Sequence, residues 1–139
     1  MRALIDTNIL FSALVFPGSK PAQALLCAAS RHKIVLCQQN IDELQSILEQ
    51  KAPKRLPAAK QLFARLPYEL IPAAAYAGTQ IRDVKDQPIL NAAIRADVDM
   101  ILTGDKDFLS LALGRPRCMT AAQFLELDVS QAGSKKYPG

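Results

Sequence analysis

Several acids stand where strand-like runs give way to helical ones. Asp6 follows the apolar "RALI" of residues 2–5, Asp105 follows "MILTG", and Asp83 and Asp86 lie just before "QPILNAAI". Taken singly, each has an ordinary explanation, because Asp is a favoured helix N-cap and suits the positive end of a helix dipole. Taken together they ask for more. If the strands are parallel, all these junctions fall on one edge of a sheet, where clustered carboxylates repel and raise one another's pKa. A cation relieves that repulsion. Glu43 lies in the segment "QNIDELQSILEQK", roughly 110° around the helix from the centre of the stripe Ile41, Leu44, Ile47 and Leu48, at the border of its buried face. Spacing alone leaves it between a solvated helix residue and a further carboxylate reaching the same edge. A pocket of oxygen ligands without paired His or Cys suits Mg²⁺ or Mn²⁺. His32, the single histidine, stands in a polar connection and reads as a surface residue. Few-carboxylate sites with open positions serve phosphate chemistry, in which the metal activates water and neutralises charge at phosphorus. Phosphodiester hydrolysis is the matching reaction.

The elements that must position these acids alternate. Strands are predicted at 2–5, 33–37 ("KIVLC"), 68–72 ("YELIP"), "MILT" and "RCMT", each short and continuously apolar. Between them lie helical patterns: "NILFSALV", "PAQALLCAASR" with Pro21 in its first turn, and "QNIDELQSILEQK" with Asn40 as N-cap. Further helices are expected over about Ala58 to Leu66, "QPILNAAIRAD", "KDFLSLAL" and "AAQFLEL", the last capped by Thr120. "AAAYAGTQIRDVKD" gives no clear pattern. Strands of this kind alternating with helices imply a three-layer α/β/α sandwich around a mainly parallel sheet of four to five strands. Sites in such sheets form outside the carboxyl ends of the strands, where strand order reverses. Residues 1–129 read as one domain and 130–139 as a flexible tail.

At 139 residues, half of them apolar, the chain is long enough for one well-buried domain. No secretory leader pattern and no apolar run near bilayer length is present, so a cytoplasmic protein without a membrane partner is expected. Cys27, Cys37 and Cys118 are odd in number and lie in apolar neighbourhoods, which reads as reduced, buried cysteine, with neither a disulfide framework nor a zinc spacing. Net charge is +4, and from Lys51 to Tyr68 there are five cations (Lys51, Lys54, Arg55, Lys60, Arg65) and no acid. That stretch is either a solvated helix face or a patch that tracks phosphates.

The ordered set "LIDTNILFSAL", "IDELQSIL", "DVKDQPILNAAIRADVDMILTGDKDF" and "TAAQFL" resembles the PIN domains, metal-dependent ribonucleases that include the VapC-type toxins of toxin–antitoxin pairs. The resemblance covers nearly the whole chain. It implies that Asp6, Glu43, Asp86 and Asp105 are the catalytic, metal-holding acids, with Asp107 auxiliary. Asn8 and Thr103 resemble the small polar residues that hold those carboxylates. The implied cofactor is Mg²⁺ or Mn²⁺, and the implied partners are single-stranded RNA, a cognate antitoxin and a second copy of the chain in a homodimer or higher homo-oligomer. Lys51, Lys54, Arg55, Lys85 and Lys106, with Arg82, would hold the RNA backbone without reading sequence. Two rivals remain. A phosphatase with Asp6 as nucleophile wants a second Asp two residues on, where this chain has Asn8. A non-catalytic binding module would use its apolar helices for docking alone.

Overall fold

The computed structural model describes residues 1–136, with side chains described through Asp128. Five parallel strands, β1 (Arg2–Ile5), β2 (Lys33–Cys37), β3 (Tyr68–Ile71), β4 (Met100–Leu102) and β5 (Arg117–Met119), form one sheet in the order β3-β2-β1-β4-β5. Because successive side chains alternate, each central strand feeds two cores. Ala3, Ile5, Ile34, Leu36, Met100 and Leu102 face one, while Leu4, Val35 and Ile101 face the other. Burial on both faces explains why these strands read as unbroken apolar runs.

The first face is covered by α1 (Thr7–Val15), α2 (Lys20–Arg31), α3 (Gln38–Lys51), α4 (Leu56–Arg65) and α7 (Ala121–Lys136). On the second lie α5 (Gln87–Arg95) and α6 (Lys106–Leu109), contributing Ile89, Leu90, Ala93 and Phe108. The chain builds outward from β1 to β2 and β3, then crosses to β4 and β5 on the other side of β1. Strand order therefore reverses between β1 and β4. Their carboxyl ends lead directly into Asp6 and into Thr103–Gly104–Asp105, and the Asp6 amide donates to the Leu102 carbonyl at 2.9 Å.

Several local expectations shift. Asn40 is not an N-cap: α3 begins two residues earlier, at Gln38, with Cys37 as its cap and Asn40 at the third helical position accepting from the Cys37 amide at 3.1 Å. The helix expected from "KDFLSLAL" is a single turn. Beyond Ser110 the chain abandons helix, which advances only about 1.5 Å per residue, and returns toward β5 with Leu111 and Leu113 packed on the second core. The unassigned stretch before α5 is held in place by that helix's polar side chains. Gln87 donates to the Thr79 carbonyl (3.0 Å) and accepts from the Ile81 amide (3.1 Å), and Asn91 accepts from the Ala77 amide. The last helix continues to Lys136, into the segment expected as a tail; residues 137–139 of that segment lie outside the described residues. Among the described residues no single helix is long and apolar enough to cross a membrane.

His32 departs from its expected surface position. Its side chain is 8% exposed, packs edge-on against Phe124 and bonds to Asp128 at 2.9 Å. The sequence offered no hint of this, because Asp128 lies 96 residues away.

Candidate metal centre

Asp6 ends β1 and caps α1. Its Oδ1 accepts from the Thr7 amide and its Oδ2 from the Thr103 hydroxyl, both at 2.8 Å. The residue is 3% exposed. Burial pushes its carboxyl up to about 6 against the pull of those two hydrogen bonds, and the charges of Asp105 and Glu43 push in the same direction as burial. Thr103 links two acids, since its hydroxyl also accepts from the Asp105 amide at 3.0 Å. Asp105 in turn caps α6 by accepting from the Asp107 amide at 2.8 Å.

Asp86 reaches the same edge from the single 3-10 turn Val84–Asp86 that precedes α5. Its carboxyl is pushed up to about 7, first by burial, then by a proton-sharing hydrogen bond with the Asp105 carboxyl and by that group's charge, then by the charges of Asp6 and Asp83. Its Oδ2 is buried without a hydrogen-bond partner. A buried carboxylate oxygen with no donor, pressed against other carboxylates, is an arrangement that a hard divalent cation satisfies and that a helix cap does not explain.

Glu43 joins from α3. Its Oε2 accepts from the Thr7 hydroxyl at 3.1 Å and its Oε1 from Gln39 at 2.9 Å, while Asn40 donates to the same Thr7 hydroxyl at 3.3 Å. Thr7 and the fully buried Asn40 were missed in the sequence. The spacing of Asn40 and Glu43, three residues apart on one helix face, was the available signal. Asn40→Ala removes the partner of the Cys37 amide and of Thr7 at once, and costs about 1–3 kcal/mol of stability in urea denaturation. A loss under about 0.3 kcal/mol would show that this chain of bonds carries no weight.

Asn8 does not hold Asp6. It is exposed, and both oxygens of Asp6 are taken by Thr7 and Thr103. Asp83 comes closer than its sequence position suggested: carboxylate oxygens of Asp83, Asp86 and Asp107 lie within 4.8 Å of one another. Asp107 already has a counter-ion in Arg82, at 2.9 Å. Lys85 and Lys106 sit beside Asp86 and Asp105 in sequence and are exposed. Lys51, Lys54 and Arg55 are elsewhere, at and beyond the far end of α3, with Lys51 about 12 Å along the helix axis from Glu43.

The fold and this edge define a class: a parallel α/β protein with an oxygen-only acidic centre at the switch point of its sheet, suited to a divalent cation. Residues 2–107 match the family model described as the PIN domain. The chain belongs to the PIN domain family, a family of nucleases that generally use divalent metal ions. Its fold is also similar to the solved structure of VapBC2 from Rickettsia felis bound to a DNA fragment from their promoter. The TM-score is 0.66 at 19% identity, over 86% of this chain and 98% of that one. No curated protein sequence matches it.

Proposed function

We propose that the protein is a cytoplasmic Mg²⁺- or Mn²⁺-dependent endoribonuclease that cuts single-stranded RNA, and that it is the toxin of a toxin–antitoxin pair. The observation that carries this reading is the unpartnered, buried Oδ2 of Asp86, set among carboxylates whose charges help to raise the pKa of Asp86 and of Asp6. Asp6, Glu43, Asp86 and Asp105 would hold the ion, in part through waters, with Asp107 auxiliary. When bound, a divalent cation supplies an activated water and neutralises charge at the attacked phosphorus.

The residues of the chain do the rest. Thr103 and the Thr7 amide fix the direction of Asp6, and Thr7 with Gln39 fixes Glu43, leaving each carboxylate lone pairs with which to hold the ion. Lys85 and Lys106, exposed and next to Asp86 and Asp105 in sequence, would hold phosphates of the strand being cut. Lys51 at the end of α3, with Lys54 and Arg55 just beyond it, would meet a longer strand. The scarcity of aromatic surface, 6% of residues and no Trp, favours contact through the backbone over reading of bases.

Its partner surface is apolar. Phe16 is 60% and Leu26 71% exposed, on the α1–α2 side and away from the acids. The structural similarity to a VapBC complex supports an antitoxin as the occupant, and a homodimer would use related apolar surface. The binding-module rival shares this surface, but it gives no reason for a buried carboxylate oxygen without a donor. The test is cleavage of an end-labelled single-stranded RNA by the purified protein, expected with Mg²⁺ or Mn²⁺ and abolished by chelation. Absence of cleavage with either metal, by protein that still binds a partner, sinks the nuclease reading.

A further inference from the structure

A second convergence of ligand-type side chains lies at the opposite, amino edge of the sheet. Cys27 comes from the last turns of α2, His32 from the junction into β2, and Asp128 from α7. One donor atom from each lies within 4.8 Å of the other two. Cys27 Sγ is 3.0 Å from Asp128 Oδ2, and His32 Nε2 is 2.9 Å from Asp128 Oδ1. Asp128 is 8% exposed, and Arg31 completes its surroundings at 3.1 Å.

A plain structural pin between α7 and α2 would need only the arginine and the histidine. The thiol adds little to such a pin, because S–H is a weak donor. Nor is the arrangement a nucleophilic triad: the carboxylate stands between thiol and imidazole, so the imidazole cannot take the thiol proton directly. Thiol, imidazole and carboxylate together are instead the donor set of a borderline-soft cation.

We propose that Cys27, His32 and Asp128 form a Zn²⁺ site that clamps α7 onto α2, separate from the acidic centre. A tetrahedral zinc with one sulfur and two lighter ligands needs donor separations of about 3.2–3.8 Å, so the thiol and the imidazole, at 3.0 and 2.9 Å from the two oxygens of Asp128, must each part from that carboxylate by less than about 1 Å. Phe124 against the imidazole, with ring centroids 5.4 Å apart, limits how far His32 swings. The Met1 nitrogen holds the other side of the ring, 3.2 Å from Nδ1. Arg31 must release Oδ2, and its side chain, 53% exposed, turns to solvent to do so. Binding expels the thiol proton and moves the imidazole proton from Nε2, where Asp128 accepts it, to Nδ1, where the Met1 nitrogen accepts it after losing a proton to solvent; one thiolate and one carboxylate balance the ion's charge. Solvent supplies the fourth ligand. The spacing of Cys27 in the sequence carries no zinc signature, because two of the three ligands reach it only through the packing of α2 against β2 and α7.

The test uses the full chain, reduced and stripped of metal. Co²⁺ should give a thiolate-to-cobalt charge-transfer band in the near ultraviolet, saturating at one equivalent. The band is expected unchanged in Asp6→Asn and Cys118→Ser and lost in Cys27→Ser and His32→Gln. One equivalent of Zn²⁺ should displace the cobalt and raise Tm by roughly 5 °C, in Asp6→Asn as in wild type. No band in wild type, or the same band in Cys27→Ser, overturns the site. Should Cys27→Ser not fold, alkylation of the wild type decides: Zn²⁺ shields Cys27 from the reagent if the site exists, and leaves its rate unchanged if it does not. None of these readouts uses RNA cleavage, so loss of the nuclease reading leaves the proposal standing or falling on its own.

Discussion

Asp6→Asn lowers the rate of single-stranded RNA cleavage on the order of 10²- to 10³-fold, while the protein stays folded. The size of the effect follows from where Asp6 sits. It is 3% exposed, it ends the central strand, and its two oxygens are aimed by the Thr7 amide and the Thr103 hydroxyl. Asn keeps the shape and one acceptor for the helix cap, but brings no charge to a cation. Burial of the wild-type carboxylate is unfavourable enough to push its pKa up to about 6, so removal of its charge offsets the weakened bond to Thr103. Thermal melting in chelator should therefore differ little between wild type and variant. If the variant melts normally and cuts RNA within about threefold of wild type, Asp6 is not a ligand and the centre has been misassigned.

Asp86→Asn is expected to move activity and stability in opposite directions. Cleavage falls about 10²-fold if Asp86 holds the ion, because the amide replaces a carboxylate whose Oδ2 has no hydrogen-bond partner in the structure. Metal-free stability rises. The sign follows from linkage: a carboxyl whose folded pKa is about 7 against 3.8 binds its proton more tightly when folded. Its contribution is fully present below about pH 4 and is lost as pH rises through about 7. At pH 7.5 the wild type therefore carries a repulsion that the variant lacks. Solvent around the half-exposed carboxyl screens this to about 1–2 kcal/mol. In chelator at pH 7.5 the variant should melt above wild type, and at pH 4 the gap should close. Mn²⁺ at pH 7.5 should raise the melting temperature of wild type far more than that of Asp86→Asn. Equal melting of the two proteins in chelator at pH 7.5 would show that the carboxylate cluster is already relieved by the chain itself.

The two experiments separate two roles that one acid can play. A helix-capping Asp replaced by Asn loses little, since both are good caps. A metal-holding Asp loses the charge that the cation needs. Asp6 and Asp105 are caps in this structure, each accepting an amide at 2.8 Å, so capping and metal holding can coexist in them. Asp86 makes no side-chain cap bond. That makes it the cleaner probe of the metal reading.

Much of the fold follows from local pattern. The apolar runs Ala3–Ile5, Ile34–Cys37 and Met100–Leu102, buried on both faces, have the pattern of interior parallel strands, and the period switch at Asp6 or after "MILT" marks a strand end wherever the strand packs. The acids at those ends are thus legible before any folding is known. What the sequence could not decide is which side chain turns inward at each junction. Thr7 and Asn8 are neighbours in the first turn of α1, about 100° apart; Thr7 is buried on the Glu43 side and Asn8 is exposed, and only the packing of α1 against α3 sets that rotation. The same holds for Asn40, which the packing of α3 makes a buried link to Thr7 and not a cap. Asp83 and Asp107 meet Asp86 because two loops from different strands end at one edge, and Cys27, His32 and Asp128 meet because α7 returns across α2. Element type is set by residues a few positions apart, so the sequence by itself determined it. The composition of each site is set by contacts between residues tens of positions apart, and those exist only once the sheet has fixed the order of its strands.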